Sequence, residues 1–144
     1  MNDEELRQAM QTLESYNKQL ENVNRQARIL QNSRDDTVRA HRTLEALNEA
    51  KPGDEVLVPI GSSCLVNVRV SDKKEAVVGI GSKVSVSKDF PSAIEYLDTG
   101  IKELNEAIQK TVAAMQEIQA YVEQLSAAIQ NEYNLRQKQG LGKQ

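Results

Sequence analysis

Starting at Leu6 and stepping alternately by three and four residues, the chain is read at Ala9, Leu13, Tyr16, Leu20, Val23, Ala27 and Leu30, then at Arg34, Thr37, His41 and Leu44. Apolar side chains fill the first four heptads, the spacing turns polar through Arg34, Thr37 and His41, and it recovers at Leu44 and Leu47. Sustained three–four spacing is the seam of a coiled-coil helix. Neither proline nor glycine interrupts residues 1–50. The same stepping from Ile94 meets Leu97, Ile101, Leu104, Ile108, Thr111, Met115, Ile118, Val122, Leu125 and Ile129, with only Thr111 polar. Asp89 and Pro91 supply a start for this second helix and Gly140 a stop. Gly100, inside it, costs about 1 kcal/mol relative to alanine.

Between the helices the period changes from 3.5 to 2. Four strand-like pieces follow one another: Glu55–Ile60, Cys64–Val70, Glu75–Ile80 and Lys83–Ser87. Gly61-Ser62-Ser63 separates the first two, and Ser71-Asp72-Lys73-Lys74 makes a polar turn before the third. Gly79 and Gly81 around Ile80 predict a bulge or bend. In the second piece Cys64, Val66, Val68 and Val70 share a face opposite Asn67 and Arg69. Val56-Leu57-Val58 is apolar on both faces, which predicts burial on both sides.

These elements give an α+β chain that reads as one domain: an N-terminal coiled-coil helix at 1–50, two β-hairpins at 51–90, a C-terminal coiled-coil helix at 91–139 and a flexible tail at 140–144. The helical stretches are matched at about 49 residues, or roughly 70 Å each. Equal lengths around a compact insert predict an antiparallel helical hairpin in which paired positions sum to about 140. Leu6, Met10 and Leu13 then lie near Ile129, Tyr133 and Leu135, at the end farthest from the strands. Leu6, Leu13 and Ile129 serve the coiled coil, at least in part. Met10, Tyr133 and Leu135 fall off the seam, and a two-helix end cannot bury every apolar side chain, so the tip is a candidate binding surface.

Isolated hairpins are marginal in water, and the end of a coiled coil offers no layer to cover them. Their apolar faces call for strands from other chains. Candidate assembly residues are Val56, Val58 and Ile60 in the first piece and Val66, Val68 and Val70 in the second. Val78 and Ile80 in the third and Val84 and Val86 in the fourth complete the set. The block reads as an assembly device.

Composition agrees with an elongated body. Aromatic residues make up 3% of 144 and charged residues 27%. Residues 1–50 carry seven basic and nine acidic side chains, 51–90 six and five, and 91–144 five and seven. None of these segments is basic enough to point to nucleic acid. Arg25, Arg28, Arg34, Arg39 and Arg42 are interrupted by Asp35 and Asp36 and contain no aromatic residue among them, which is a solvated helix face; Arg34, on the seam, is placed to reach Glu103 or Glu106. The acidic start MNDEEL is unlike a signal peptide, and the longest apolar runs fall far short of the ~20 residues that cross a bilayer. A single cysteine fits a reducing compartment, so a soluble cytoplasmic protein with no membrane contact is expected.

The chemistry expected of an enzyme is thin. His41, the one histidine, sits on the seam and is expected in a polar packing layer. With Cys64 it makes one candidate of each zinc-ligand type, 23 positions apart, where zinc needs several. Cys64 itself is expected to be a small buried apolar residue. Gly79-Ile80-Gly81-Ser82 is followed by a strand, where a phosphate loop would open a helix. No enzyme activity, metal or cofactor is expected.

The order helix, two hairpins, helix, with LVPIGSSCLVNVRV and later VVGIGSKVSVSKDF, resembles the α-type subunit of prefoldin over essentially the whole chain. The β type has one hairpin, so four strands favour the α type. The absence of extensions suits an archaeal subunit. The resemblance implies a hexamer of two α-type and four β-type subunits, a platform of intersubunit β-barrels, and coiled coils whose tips hold non-native polypeptides. It also implies ATP-independent delivery to a group II chaperonin. Two other readings fit the same residues: a coiled-coil scaffold binding one defined folded partner, and a homo-oligomeric prefoldin-like chaperone.

Overall fold

The computed structural model describes residues 1–141. Helix α1 spans Asp3–Glu49 and helix α2 Phe90–Leu141. Between them lie strands β1 (Glu55–Gly61), β2 (Cys64–Arg69), β3 (Glu75–Gly81) and β4 (Val84–Asp89). These pair as two separate antiparallel hairpins, β1–β2 and β3–β4. The expected strand limits hold to within two residues, and Gly79-Ile80-Gly81 carries the anticipated register shift. Helix α2 runs through Gly140 instead of stopping there. Residues 142–144 of the expected tail lie outside the described residues.

The chain divides into two units. One comprises Met1–Asn32 with the chain from Glu106 onward, the other Ser33–Asn105. In the first unit α1 opens with a reciprocal cap: Glu5 N donates to Asn2 Oδ1 at 2.8 Å, and Asn2 N donates to Glu5 Oε2 at 2.9 Å. Such a capping box satisfies two of the helix's free donors, and Asp3, Glu4 and Glu5 in the first turn oppose the positive end of its dipole. Leu6, Ala27, Ile108 and Ile129 are its buried side chains. Tyr16 stacks on Tyr121 with ring centroids 5.7 Å apart, two residues whose numbers sum to 137. Thr111, the polar residue on the seam, donates its hydroxyl to Ala107 O at 2.8 Å, within its own helix.

In the second unit the helices pair in the same sense. His41 Nε2 lies 2.8 Å from Asp98 Oδ1, too poorly aligned for a hydrogen bond, and Nδ1 lies 3.6 Å from Glu45 Oε1. A Cβ on Gly100 would stand 4.0 Å from Thr37 Cγ2, an ordinary contact. Arg34 meets Asp35 at 3.4 Å, its neighbour in sequence, instead of Glu103 or Glu106 as expected.

Candidate functional site

Among the described residues, two surfaces gather several exposed apolar side chains. The first is the pair of hairpins. In β1–β2 the register sets Val56 opposite Val68 and Val58 opposite Val66 on one face. Leu57 opposite Asn67 and Pro59 opposite Leu65 occupy the other, because neighbours in a strand point to opposite sides. Hydrogen bonds from Gly53 N to Val70 O and from Val70 N to Asp54 O, both 2.8 Å, prolong the ladder past Arg69. In β3–β4 Val78 opposes Val86 and Ala76 opposes Lys88, while Val77 and Gly79 face Ser87 and Ser85.

Both hairpins turn alike. Gly61 and Gly81 have φ of 112° and 108°; Ser62 and Ser63 lie at 49° and 57°, Ser82 and Lys83 at 50° and 61°. Two successive left-handed residues make a type I′ turn, whose twist matches that of the strands it joins. Ile60 and Ile80 sit at the register shift before each turn. The hairpins are copies offset by 20 positions, with Glu55/Glu75, Val58/Val78, Ile60/Ile80, Gly61/Gly81, Ser62/Ser82 and Val66/Val86 identical. Laying the two segments side by side would have shown this repeat from the sequence.

Of the candidate assembly residues, Val58, Ile60, Val66, Val68, Ile80 and Val84 are exposed; Val56, Val70, Val78 and Val86 are half-buried. Cys64, expected to be buried, is exposed. Alternation gives a residue its face but not a cover for that face.

The second surface is the end of the first unit where α1 begins. Of the tip candidates, Leu6 and Ile129 are only 7% and 8% exposed. They are the last apolar residues of the seam, and each helix covers the other's, so neither is available to a ligand. Leu13 is half-buried. Met10, Tyr133 and Leu135 stand 46%, 42% and 55% exposed. The Tyr133 hydroxyl donates to Met10 Sδ at 3.6 Å, which unites side chains of two helices in one patch.

The sequence reading missed what closes this end. Beyond Ile129 the seam steps to Glu132 and Arg136, both partly withdrawn from solvent. Arg136 donates through Nη1 to Asp3 Oδ1 at 2.6 Å, through Nε to Glu132 Oε1 at 3.1 Å and through Nη2 to Met1 O at 3.3 Å. The Met1 amino group lies 3.4 Å from Glu132 Oε2. The Arg136 hydrogen bond holds the Glu132 carboxyl below its ordinary range, and Asp3, then Glu132, raise the guanidinium above its own. Continuing the three–four stepping past Ile129 would have reached both residues.

Among the described residues no three His, Cys, Asp or Glu side chains come together, and no helix is long and apolar enough to cross a membrane. Exposed strand faces and an apolar helix end are the means of a protein that binds and assembles other polypeptides. A family profile described as "Prefoldin subunit" matches residues 16–135. The chain is 36% identical over 137 residues to prefoldin subunit alpha of Nitrosopumilus maritimus, covering 95% of this chain and 92% of that one. It is 31% identical over 121 residues to prefoldin subunit alpha of Methanoculleus marisnigri, covering 84% and 80%. Its fold is similar to that in the cryo-EM structure of filamentous PFD from Methanocaldococcus jannaschii, with TM-score 0.66, 26% identity and coverage of 81% and 97%. The crystal structure of the prefoldin beta subunit from Thermococcus strain KS-1 shares the fold, with TM-score 0.60, 17% identity and coverage of 89% and 91%. The chain belongs to the prefoldin family of chaperone subunits, and resembles its α-type members nearly end to end.

Proposed function

We propose that the chain is a subunit of an ATP-independent holdase co-chaperone of the cytoplasm. It captures non-native polypeptides at the tip and passes them to a group II chaperonin. The observation that carries this reading is the exposed Met10–Tyr133 patch, with Leu135 nearby, on a chain of the prefoldin family. Each apolar side chain contributes roughly 1.5–3 kcal/mol when fully covered, less at a wet tip. Several tips on one assembly add their weak contacts as avidity. The hairpin valines join this subunit to β-type partners, two α-type with four β-type, by covering each other's apolar faces. The capture step uses burial alone and needs no hydrolysis.

The test deletes residues 1–10 together with 131–144 and follows oligomer mass and suppression of aggregation in one preparation. Assembly should survive and holding should fall steeply. Full holding after every tip in the complex has been removed overturns the reading, as does a requirement for ATP by the isolated complex.

A second reading has one observation in its favour. The likeness to filamentous PFD spans 97% of that chain, which supports an assembly other than a closed hexamer; a homo-oligomer of this chain is one such form. The mass of the purified chain alone, then with a β-type subunit, separates the two readings.

A further inference from the structure

The exposed patch and the charged end of the seam lie side by side, and their relation bears on how a ligand is met. The seam ends in polar and charged residues: four residues before Leu6 stands Asn2, and three and seven after Ile129 stand Glu132 and Arg136. Glu132 keeps 13% of its side chain exposed and Arg136 35%. Every other described residue from Gln130 to Gly140 is exposed. The guanidinium therefore occupies the place where another apolar layer would continue the seam. It contacts α1 through Asp3 and its own helix through Glu132.

We infer that Arg136 is the positioning residue of the tip. It bridges the two helices, shuts the last apolar layer over Leu6 and Ile129, and leaves the Met10–Tyr133 flank as the surface that meets an extended apolar segment of a non-native chain. The Leu6–Ile129 layer beneath is closed to such a segment; beyond it only an open cleft of about 690 Å³ remains, lined mainly by polar residues between Met1–Asp3 and Glu132–Gly140. This rests on the reading that the tip captures non-native polypeptides. Lysine cannot replace the arginine fully, because the three contacts leave a planar fork in three directions and an ammonium is a single point of charge.

The experiment uses the assembled complex carrying Arg136→Gln, Arg136→Lys or Asp3→Asn. It measures hydrogen exchange of the amides of residues 5–10 and 129–136, and the concentration that half-suppresses aggregation of a chemically unfolded protein. Exchange in Arg136→Gln should rise about threefold, as befits a partly exposed ion-pair network. Arg136→Lys and Asp3→Asn should fall between it and the parent. The half-suppressing concentration should rise in the same order. Between about 50 mM and about 500 mM salt the parent and Arg136→Gln should converge in both readouts, since screening removes what the substitution removes. A loss of arginine packing alone would not converge.

Unchanged exchange in Arg136→Gln overturns the clasp. Faster exchange with unchanged capture overturns its positioning role. The underlying reading is judged apart, by Met10→Ser with Tyr133→Ser: capture lost with exchange unaltered supports the flank as the binding surface, and capture retained overturns it whatever Arg136 does.

Discussion

The two hairpins share a turn, a register shift and six identities at an offset of 20, yet they differ in faces and in anchorage. The first is apolar on both sides: valines on one, and Leu57, Pro59 and Leu65 on the other, with Leu57 63% exposed. The second has Lys88 where the first has Val68 and serines where the first has Leu65 and Asn67. Its anchorage is also firmer. Strand β4 passes into α2 without a break, Phe90 and Ala93 are buried at the junction, and Asp89 Oδ1 accepts from Ser92 N at 2.8 Å as the helix cap. Lys74 Nζ donates to Asn48 O at 2.6 Å, satisfying a carbonyl near the end of α1, whose last turn has no basic residue of its own. Lys88 Nζ lies 5.6 Å from the centre of the Tyr96 ring. The turn thus sets the backbone of a hairpin, while the strand faces set what it can bind. One copy has given part of its apolar surface to holding its own chain.

The largest expected effect tests that division directly. Val58→Asp should abolish assembly while leaving the helical circular dichroism, because a carboxylate buried without a partner costs several kcal/mol. Val78→Asp, at the equivalent place, should weaken assembly less. Equal sedimentation profiles would mean that the two copies assemble alike.

Exchanging the residues that differ gives a smaller change. Val68→Lys should weaken assembly by about 1–3 kcal/mol through lost apolar burial. Lys88→Val should destabilise the chain by roughly 0.5–1 kcal/mol, the worth of an exposed cation–ring contact, and so lower its melting temperature modestly. Stronger association in Lys88→Val would show Lys88 limiting what the second hairpin can bind.

The turns should respond alike. Ser62→Asn with Ser63→Gly, and Ser82→Asn with Lys83→Gly, each relieve two left-handed residues and should stabilise their hairpin by about 1 kcal/mol. Thermal unfolding of the two variants should shift equally; unequal shifts would locate the difference between the hairpins in their turns as well as their faces.

The smallest effect concerns acid. Hydrogen bonds from Ser92 hold the Asp89 carboxyl below the ordinary aspartate range. Its contribution is therefore present above the unfolded value and lost as pH falls through the folded one. Asp89→Asn keeps a capping oxygen without the charge, so part of the acid-dependent loss of α2 helicity should vanish. Unchanged pH dependence would place that loss elsewhere.

The seam was legible in detail, and for a local reason. Every position reached by the three–four stepping, from Leu6 to Leu44 and from Ile94 to Ile129, is withdrawn from full exposure. The bulge at Gly79–Gly81 was legible from its glycines; its twin at Pro59–Gly61 has proline in place of the first glycine and gave no such signal. Gly140 read as a stop, yet a glycine ends a helix only where a left-handed residue is needed, and α2 passes through it. The exposure of Cys64 was illegible because a strand's pattern names a face without naming what covers it.

The sequence by itself determined the two helices, the four strands and the line of side chains that joins helix to helix, since each follows from spacing within a few residues. Only the tertiary structure decided how the tip closes. Leu6 and Ile129 are equally apolar in the sequence and are buried, while Met10 and Tyr133 come together from 123 positions apart. Arg136 finds Asp3 across 133 positions. Such contacts depend on how far one helix is slid along the other. Periodicity within either helix leaves that displacement open. The matched stretches around the insert predict sums near 140, and Tyr16–Tyr121, His41–Asp98 and Met10–Tyr133 fall at 137, 139 and 143. What the paired helices add is which side chains meet within that register.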